Sequence, residues 1–192
     1  MRPSNHSTYL MLTTEATPTT MLRTIMEAIC KHPAALRIHH DEANAHITMQ
    51  VDGRDQGRAV GKQGRTITAI GALLWYAGMV STFSRRPITI ELLQPTANVG
   101  KAAFGMFQAK KDWDREKIGN LVDVILSTCF GFARGAWVTE DTGRAAATIQ
   151  IDCDKYLHTA SQDPSFEEAI TTIVHAAGMA CGVMLDTKVE WK

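Results

Sequence analysis

The chain has 192 residues, of which 45% are hydrophobic and 21% charged, with 20 basic and 20 acidic side chains. This composition is typical of a globular protein of one or two domains and excludes disordered and collagen-like chains. The longest apolar run, at 70–80, predicts a buried helix, because a membrane span needs roughly 20 such residues. Residues 1–20 carry eight Ser or Thr and no continuous apolar core, so they predict a flexible tail rather than a secretory signal, and a cytoplasmic protein with no membrane partner.

After this tail the apolar pattern changes period along the chain. Leu22, Ile25, Met26 and Ile29 recur at helical spacing, and Pro33 forbids continuation of that helix. Two short strands are predicted at 36–40 and 46–51, followed by a helical stretch, a break at 61–64, a longer apolar helix and a closing strand at 87–93. The predicted order is helix-strand-strand-helix-helix-strand, an α+β fold with one sheet against three helices.

The same order is predicted a second time. Shifting the chain by 100 residues aligns 34–82 with 134–182 without a gap, and ten of 49 positions are identical. The alignment superimposes ITMQVD at 47–52 on ATIQID at 147–152, and the apolar helix at 69–79 on that at 169–179. A tandem duplication is therefore predicted, with domains at 21–94 and 115–192 and a linker at 95–114.

The zero net charge conceals a difference between the two copies. Residues 21–95 carry nine basic and six acidic side chains, whereas residues 96–192 carry ten basic and 13 acidic side chains. Neutralising phosphates requires local Lys and Arg, so a polyanion is expected to bind the first copy.

The segment 52–70 is the most informative one, because a Gly-Lys-Gln-Gly sequence at 61–64 interrupts what would otherwise be one helix. Two glycines three apart allow a sharp turn and the close approach of another backbone. The helix that follows presents its positive N-terminal end to a phosphate. The candidate nucleic-acid-binding residues are Arg54, Arg58, Val60, Gly61, Lys62, Gln63, Gly64 and Arg65.

The motif D-x-G-R-x-V-G-K-Q-G-R-T-I-x-A-I at 55–70, preceded by a helix and two strands, resembles the type II KH domain, and in particular the small bacterial KhpA-type RNA-binding proteins. The resemblance covers about 21–94. It implies that Gly61 to Gly64 hold about four nucleotides of single-stranded RNA or DNA, with Val60 under the bases. It also implies pairing with itself or with another KH protein. Gly71 departs from the family, whose members commonly carry Arg there, and this predicts weaker binding.

The second copy retains the fold pattern but not the loop, and its aligned residues are Ser161, Gln162, Asp163 and Pro164. Asp163 would repel a phosphate, and a proline has no N–H to donate. Asp163 and Glu167 suit a helix start instead. This copy is therefore predicted to be a degenerate KH-like domain that packs on the first as a partner subunit would.

No enzymatic activity, cofactor or metal is predicted. Neither a catalytic triad motif nor a phosphate loop is found, the four cysteines are too far apart for a zinc or redox pair, and His39, His40 and His46 lack a convincing third ligand. Trp75 is predicted in the core and Trp113 between domains. The prediction is an RNA-binding protein that regulates transcripts or chaperones RNA. Two alternatives stay open, a KH-fold protein-interaction scaffold without RNA and a NusA-like tandem KH transcription or ribosome-assembly factor.

Overall fold

The computed structural model describes residues 16–80, 86–94, 115–130, 137–141, 144–151 and 163–191. The predicted tail up to residue 15, the predicted linker 95–114 with Trp113, and residues 152–162 lie outside the described residues. Among the described residues, no helix combines the length and apolarity needed to cross a membrane. The helices are α1 Pro18–Ile29, α2 Gln56–Val60, α3 Arg65–Val80, α4 Arg115–Phe130 and α5 Pro164–Cys181, and the strands are β1 Arg37–Asp41, β2 His46–Gln50, β3 Thr89–Leu92, β4 Trp137–Asp141, β5 Arg144–Ile151 and β6 Asp186–Trp191.

The first half of the protein, residues 16–94, has the predicted order of elements. Helix α1 begins at Pro18, inside the predicted tail, because Thr17 caps it by accepting a hydrogen bond from the Thr20 amide and a proline at the first helical position needs no partner for its nitrogen. Its four predicted apolar positions are all buried. In the sheet, β2 pairs antiparallel with β1 and parallel with β3.

The second half, residues 115–191, repeats this arrangement in the part that the structure describes. A helix is followed by an antiparallel pair, β4 with β5, and α5 leads to β6, which pairs parallel with β5. The two hairpins differ in length, since Asp41 pairs with His46 but Asp141 pairs with Arg144. The ungapped alignment therefore does not hold across the second hairpin turn, which is two residues shorter.

The two halves share one buried core, formed where α1 and α3 pack against α4 and α5. Phe166 of α5 lies edge-on to both Tyr76 and Phe130, with ring centroids 5.1 Å and 4.9 Å away. The thiol of Cys129, fully buried in α4, lies 3.9 Å from the sulfur of Met21 and 3.5 Å from the Leu73 carbonyl oxygen. Packed apolar side chains thus join the two halves.

Gly78 and Gly178, which the 100-residue alignment superimposes, both lie against a neighbouring segment of the chain. A Cβ atom on Gly78 would lie 2.3 Å from the Arg86 carbonyl oxygen. A Cβ atom on Gly178 would lie 2.9 Å from the Val183 carbonyl oxygen and 2.7 Å from Cγ of Leu185. In both halves, the missing side chain lets the chain that leads into the closing strand pass against the long helix.

Replacement by alanine is expected to stabilise the protein at one glycine of α3, Gly71, and to destabilise it at another, Gly78. Gly71→Ala should raise the free energy of unfolding by about 1 kcal/mol, because the new methyl group meets only Cγ2 of Ile90, at 3.9 Å, and alanine has the higher helix propensity. Gly78→Ala should lower it by about 2 kcal/mol, because the backbone at Arg86 must move. Urea unfolding followed by circular dichroism measures both, and equal shifts would contradict the described approach at Gly78.

Candidate nucleic-acid interface

The Gly-Lys-Gln-Gly segment forms a tight loop between α2 and α3. Gly61 ends α2 with φ 75° and ψ 173°, and a single 3-10 turn then spans Lys62–Gly64. Gln63 has φ 56° and Gly64 has φ 80°, so three of the four loop residues lie at positive φ. The Gly64 amide donates to the Gly61 carbonyl oxygen at 3.2 Å, which closes the turn.

The two glycines are needed for different reasons. A Cβ atom on Gly61 would lie 2.2 Å from Oγ1 of Thr66 and 2.8 Å from its amide nitrogen, so this glycine lets the loop fold back onto the start of α3. A Cβ atom on Gly64 would meet no atom within 4 Å. Gly64 is required only by its left-handed backbone, and the space beside it is open to a ligand.

Two exposed cations lie beside this open space. Lys62 forms part of the loop and Arg65 is the first residue of α3, and neither has an ion pair among the described residues. Gln63, between them, is also exposed, and Val60 is half-buried at the end of α2. An exposed amide, an aliphatic side chain and two cations around a glycine turn can contact the sugar-phosphate and the bases of a single strand.

The other two predicted arginines have partners within the protein. Arg54 is salt-bridged to Asp52, with Nε 2.9 Å from Oδ1, and it holds the pKa of that carboxyl well below its usual range. Arg58, only 19% exposed, donates from a guanidinium nitrogen to the Ile29 carbonyl oxygen at 3.3 Å. The structure therefore brings Lys62 and Arg65 together at the loop and places Arg58 against the end of α1.

Asp55 is a residue whose role the motif did not reveal. Its buried carboxylate accepts hydrogen bonds from the Lys31 amide at 3.0 Å and from the His32 amide at 2.7 Å, and it lies 3.1 Å from the His32 ring. Its carbonyl oxygen accepts from the Arg58 and Ala59 amides. Asp55 thus joins the chain after α1 to the start of α2. The sequence carried one signal for the contact with Arg58. Asp55 stands three residues before Arg58, and side chains so spaced on a helix can form an ion pair.

In the second half, the position aligned with the loop starts a helix, as expected. Asp163 caps α5 by accepting from the Ser165 amide at 2.9 Å, and Pro164 and Glu167 occupy the first turn. The same carboxylate accepts a hydrogen bond from the Tyr76 hydroxyl group, which holds the pKa of Asp163 below its usual range. This contact links α3 of the first half to the beginning of α5.

Trp75 is not in the core, contrary to the sequence-based expectation. Its side chain is 44% exposed, and its ring stands edge-on to Tyr76 at 5.2 Å. Trp75 belongs to an apolar run, and for that reason the sequence predicted it in the core. Helix α3, however, carries apolar residues on more than one face, and the sheet and the second half do not cover all of them.

Two cysteines of the described residues have thiols of raised pKa, and the described His, Cys, Asp and Glu side chains form no metal-binding cluster. Burial raises the pKa of Cys30 to about 12, and burial also raises that of Cys129. Both thiols therefore stay protonated, which agrees with a packing role. No group of three or more His, Cys, Asp or Glu side chains within the described ranges is placed to hold a metal ion. His46 instead contacts Thr89, with Nδ1 2.8 Å from Oγ1.

Comparison with known proteins finds a family model that matches the first half and a relative of the chain. A family model described as KhpA/KhpB, KH domain, matches residues 19–81. RNA-binding protein KhpA of Halalkalibacterium halodurans is 30% identical to the chain over 76 residues, which are 38% of this chain and 96% of that protein. No solved structure matches the chain significantly. The family match ends before the second half begins.

Proposed function

Because the chain belongs to the KhpA/KhpB family of KH-domain proteins, we propose that it binds single-stranded RNA at the Gly61–Gly64 loop and acts on transcripts without catalysing a reaction. The observation that carries the proposal is the open space beside Gly64, next to the exposed Lys62 and Arg65. A phosphate in that space approaches backbone and two cations without a side chain in the way. Val60, half-buried beside the loop, supplies aliphatic surface for a base.

The second half is, in this proposal, a degenerate KH-like copy that replaces a partner subunit. Its strand pairing repeats that of the first half, and Gly178 performs the task of Gly78. Asp163 and Pro164 stand where the loop would be, and Asp163 is bonded to Tyr76 and to the Ser165 amide. RNA binding is therefore assigned to the first half, and this favours a single KH site over a NusA-like path across both halves.

The sharpest test compares two variants at one position. Gly64→Asn and Gly64→Asp bear the same conformational cost, since both residues tolerate a left-handed backbone, and they differ only in charge. We expect the Asp variant to bind a single-stranded RNA decamer about tenfold or more weakly than the Asn variant, because a carboxylate about 4 Å from a phosphate costs roughly 1–4 kcal/mol. Fluorescence anisotropy with labelled decamers measures this, and circular dichroism checks that both variants unfold alike.

Salt dependence provides a second readout of the same site. With two phosphates neutralised by Lys62 and Arg65, log affinity should fall against log salt with a slope of about −1.4, and Lys62→Ala should reduce the magnitude of that slope by about 0.7. The proposal fails if the wild type does not bind RNA at low salt, or if the Asn and Asp variants bind equally. Either result would favour the interaction scaffold that the sequence left open.

A further inference from the structure

The junction between the two halves carries a groove that begins at the loop. Its first part is lined by Gln63, Arg65 and Ala72 from one half and by Ser165, Glu168 and Thr172 from the other. A second part, lined by Ala72, Trp75, Tyr76, Asp163 and Ser165, adjoins it at Ala72 and Ser165. We call the two parts together the seam groove.

The seam groove ends at a fixed aromatic surface. Trp75 is 44% exposed and stands edge-on to Tyr76, at an interplanar angle of 87°. Tyr76 is itself buried, edge-on to Phe166 and hydrogen-bonded to Asp163. The indole therefore packs against a tyrosine held from both sides, and its ring offers an apolar surface to a base without first having to be ordered.

The two ends of the groove are within reach of one strand. Arg65 and Trp75 are ten residues apart on α3, a rise of about 15 Å along the helix. A strand whose phosphates lie at Lys62 and Arg65 can continue along α3 to Trp75. Exposed aromatic rings beside a basic entry are the usual means by which proteins hold further nucleotides of a single strand.

Charge orients such a strand. Glu168 and Asp163 line the second-half side of the groove and repel phosphates, so the sugar-phosphate backbone lies on the side of Arg65 and the bases face the carboxylates. A carboxylate only accepts hydrogen bonds, and each oxygen of Asp163 keeps a second lone pair beside its bond to Tyr76 or Ser165. Adenine and cytosine carry an exocyclic amino group that donates to such an oxygen, whereas uracil carries a carbonyl oxygen in the equivalent place.

From this continuity we infer a second nucleotide subsite, in which a base with an exocyclic amino group stacks on Trp75 and donates to the Asp163 carboxylate. The inference rests on the proposed function, since the loop delivers the strand to the groove. It makes the second half part of the RNA site through Asp163 and Ser165, although that half has no loop of its own. It also sets a preference for adenine or cytosine over uracil beyond the four loop nucleotides.

The test measures the binding of RNAs that differ in length and base to the wild type and to three variants of the full chain. Trp75→Ala is expected to weaken binding of an adenosine decamer about tenfold and to leave binding of an adenosine tetranucleotide within about twofold. Trp75→Phe should retain part of the affinity for the decamer. Met79→Ala is the matched control, because Met79 lies one turn further along α3, is similarly exposed and does not line the groove. A uridine decamer should bind the wild type more weakly than the adenosine decamer, and Trp75→Ala should reduce that difference.

Each other outcome overturns the inference in a distinct way. Equal behaviour of Trp75→Ala and Met79→Ala would show that the ring holds no base. An equal loss for tetranucleotide and decamer would mean that the substitution disturbs the fold, and dissociation of an oligomer in sedimentation velocity would assign Trp75 to contact with a second copy. If Gly64→Asp weakens the tetranucleotide while Trp75→Ala changes nothing, only the subsite fails. If the wild type binds neither RNA, the proposed function fails with it.

Discussion

A chain that ends at residue 94 is expected to lose most of the stability of the full protein. The faces of α1 and α3 that pack on the second half carry large buried side chains, including Met21 at Cys129 and Tyr76 at Phe166. Exposing one such side chain costs roughly 1.5–3 kcal/mol, and a domain is stable by only about 5–15 kcal/mol. Exposing the whole face therefore removes most of the stability, and the fragment should self-associate through it or aggregate.

Light scattering coupled to size exclusion, together with thermal unfolding, measures this result. The matched control is co-expression of residues 1–94 with residues 95–192, which should restore a one-to-one complex because the contact between the halves needs no covalent link. A fragment 1–94 that is monomeric and melts at the temperature of the full chain would contradict the shared core. Tyr76→Phe in the full chain, which removes the hydrogen bond to Asp163 and keeps the ring, should by contrast leave the oligomeric state of the protein unchanged.

Replacement of Asp55 by alanine is expected to cause the largest loss of stability among single substitutions near the loop. The change removes the acceptor of two part-buried hydrogen bonds, those of the Lys31 and His32 amides, and the carboxylate that faces Arg58. A hydrogen bond to a charged group contributes roughly 1.5–3 kcal/mol, so loss of the two should lower the free energy of unfolding by about 4 kcal/mol. Because Asp55 positions α2 and not the ligand, a fraction of Asp55→Ala that remains folded should still bind RNA.

Asp52→Ala is the control for this prediction. Asp52 also accepts hydrogen bonds, from the amide and the guanidinium group of Arg54, but these partners are exposed and water replaces the lost acceptor. Urea unfolding of both variants should therefore show a much smaller shift for Asp52→Ala. Equal shifts would mean that the buried hydrogen bonds of Asp55 contribute nothing beyond those of a surface carboxylate, which would contradict the role assigned to it.

Local sequence patterns were sufficient for the elements themselves. The spacing of Leu22, Ile25, Met26 and Ile29 predicted α1, the alternation at 46–50 predicted a strand, and the glycines at 61 and 64 predicted a turn. These signals act between residues close together in the chain. The sequence also predicted a similar order of elements in the second half, although not its shorter hairpin, since an ungapped alignment cannot register a change of turn length.

The sequence predicted the glycine turn at the centre of the candidate site but not the contacts of the residues around it. Lys62 and Arg65 lie at the loop as expected, but Arg58 faces the end of α1, and the need for Gly61 comes from Thr66 rather than from a ligand. Nothing in the motif distinguishes an arginine that points outward from one that caps a neighbouring helix. That distinction depends on where α1 ends in space.

The sequence by itself determined the order of elements in the first half, its basic charge and the turn at the loop, because each depends on residue type and short-range spacing. The tertiary structure alone decided which contacts join the halves. Asp55 bonds to amides 23 and 24 residues earlier, and Tyr76 bonds to Asp163 at a separation of 87 residues. An apolar stripe in a sequence indicates that one face of a helix is buried, but it does not show which element buries that face. In α3 the packing of the second half leaves Trp75 exposed beside the seam groove.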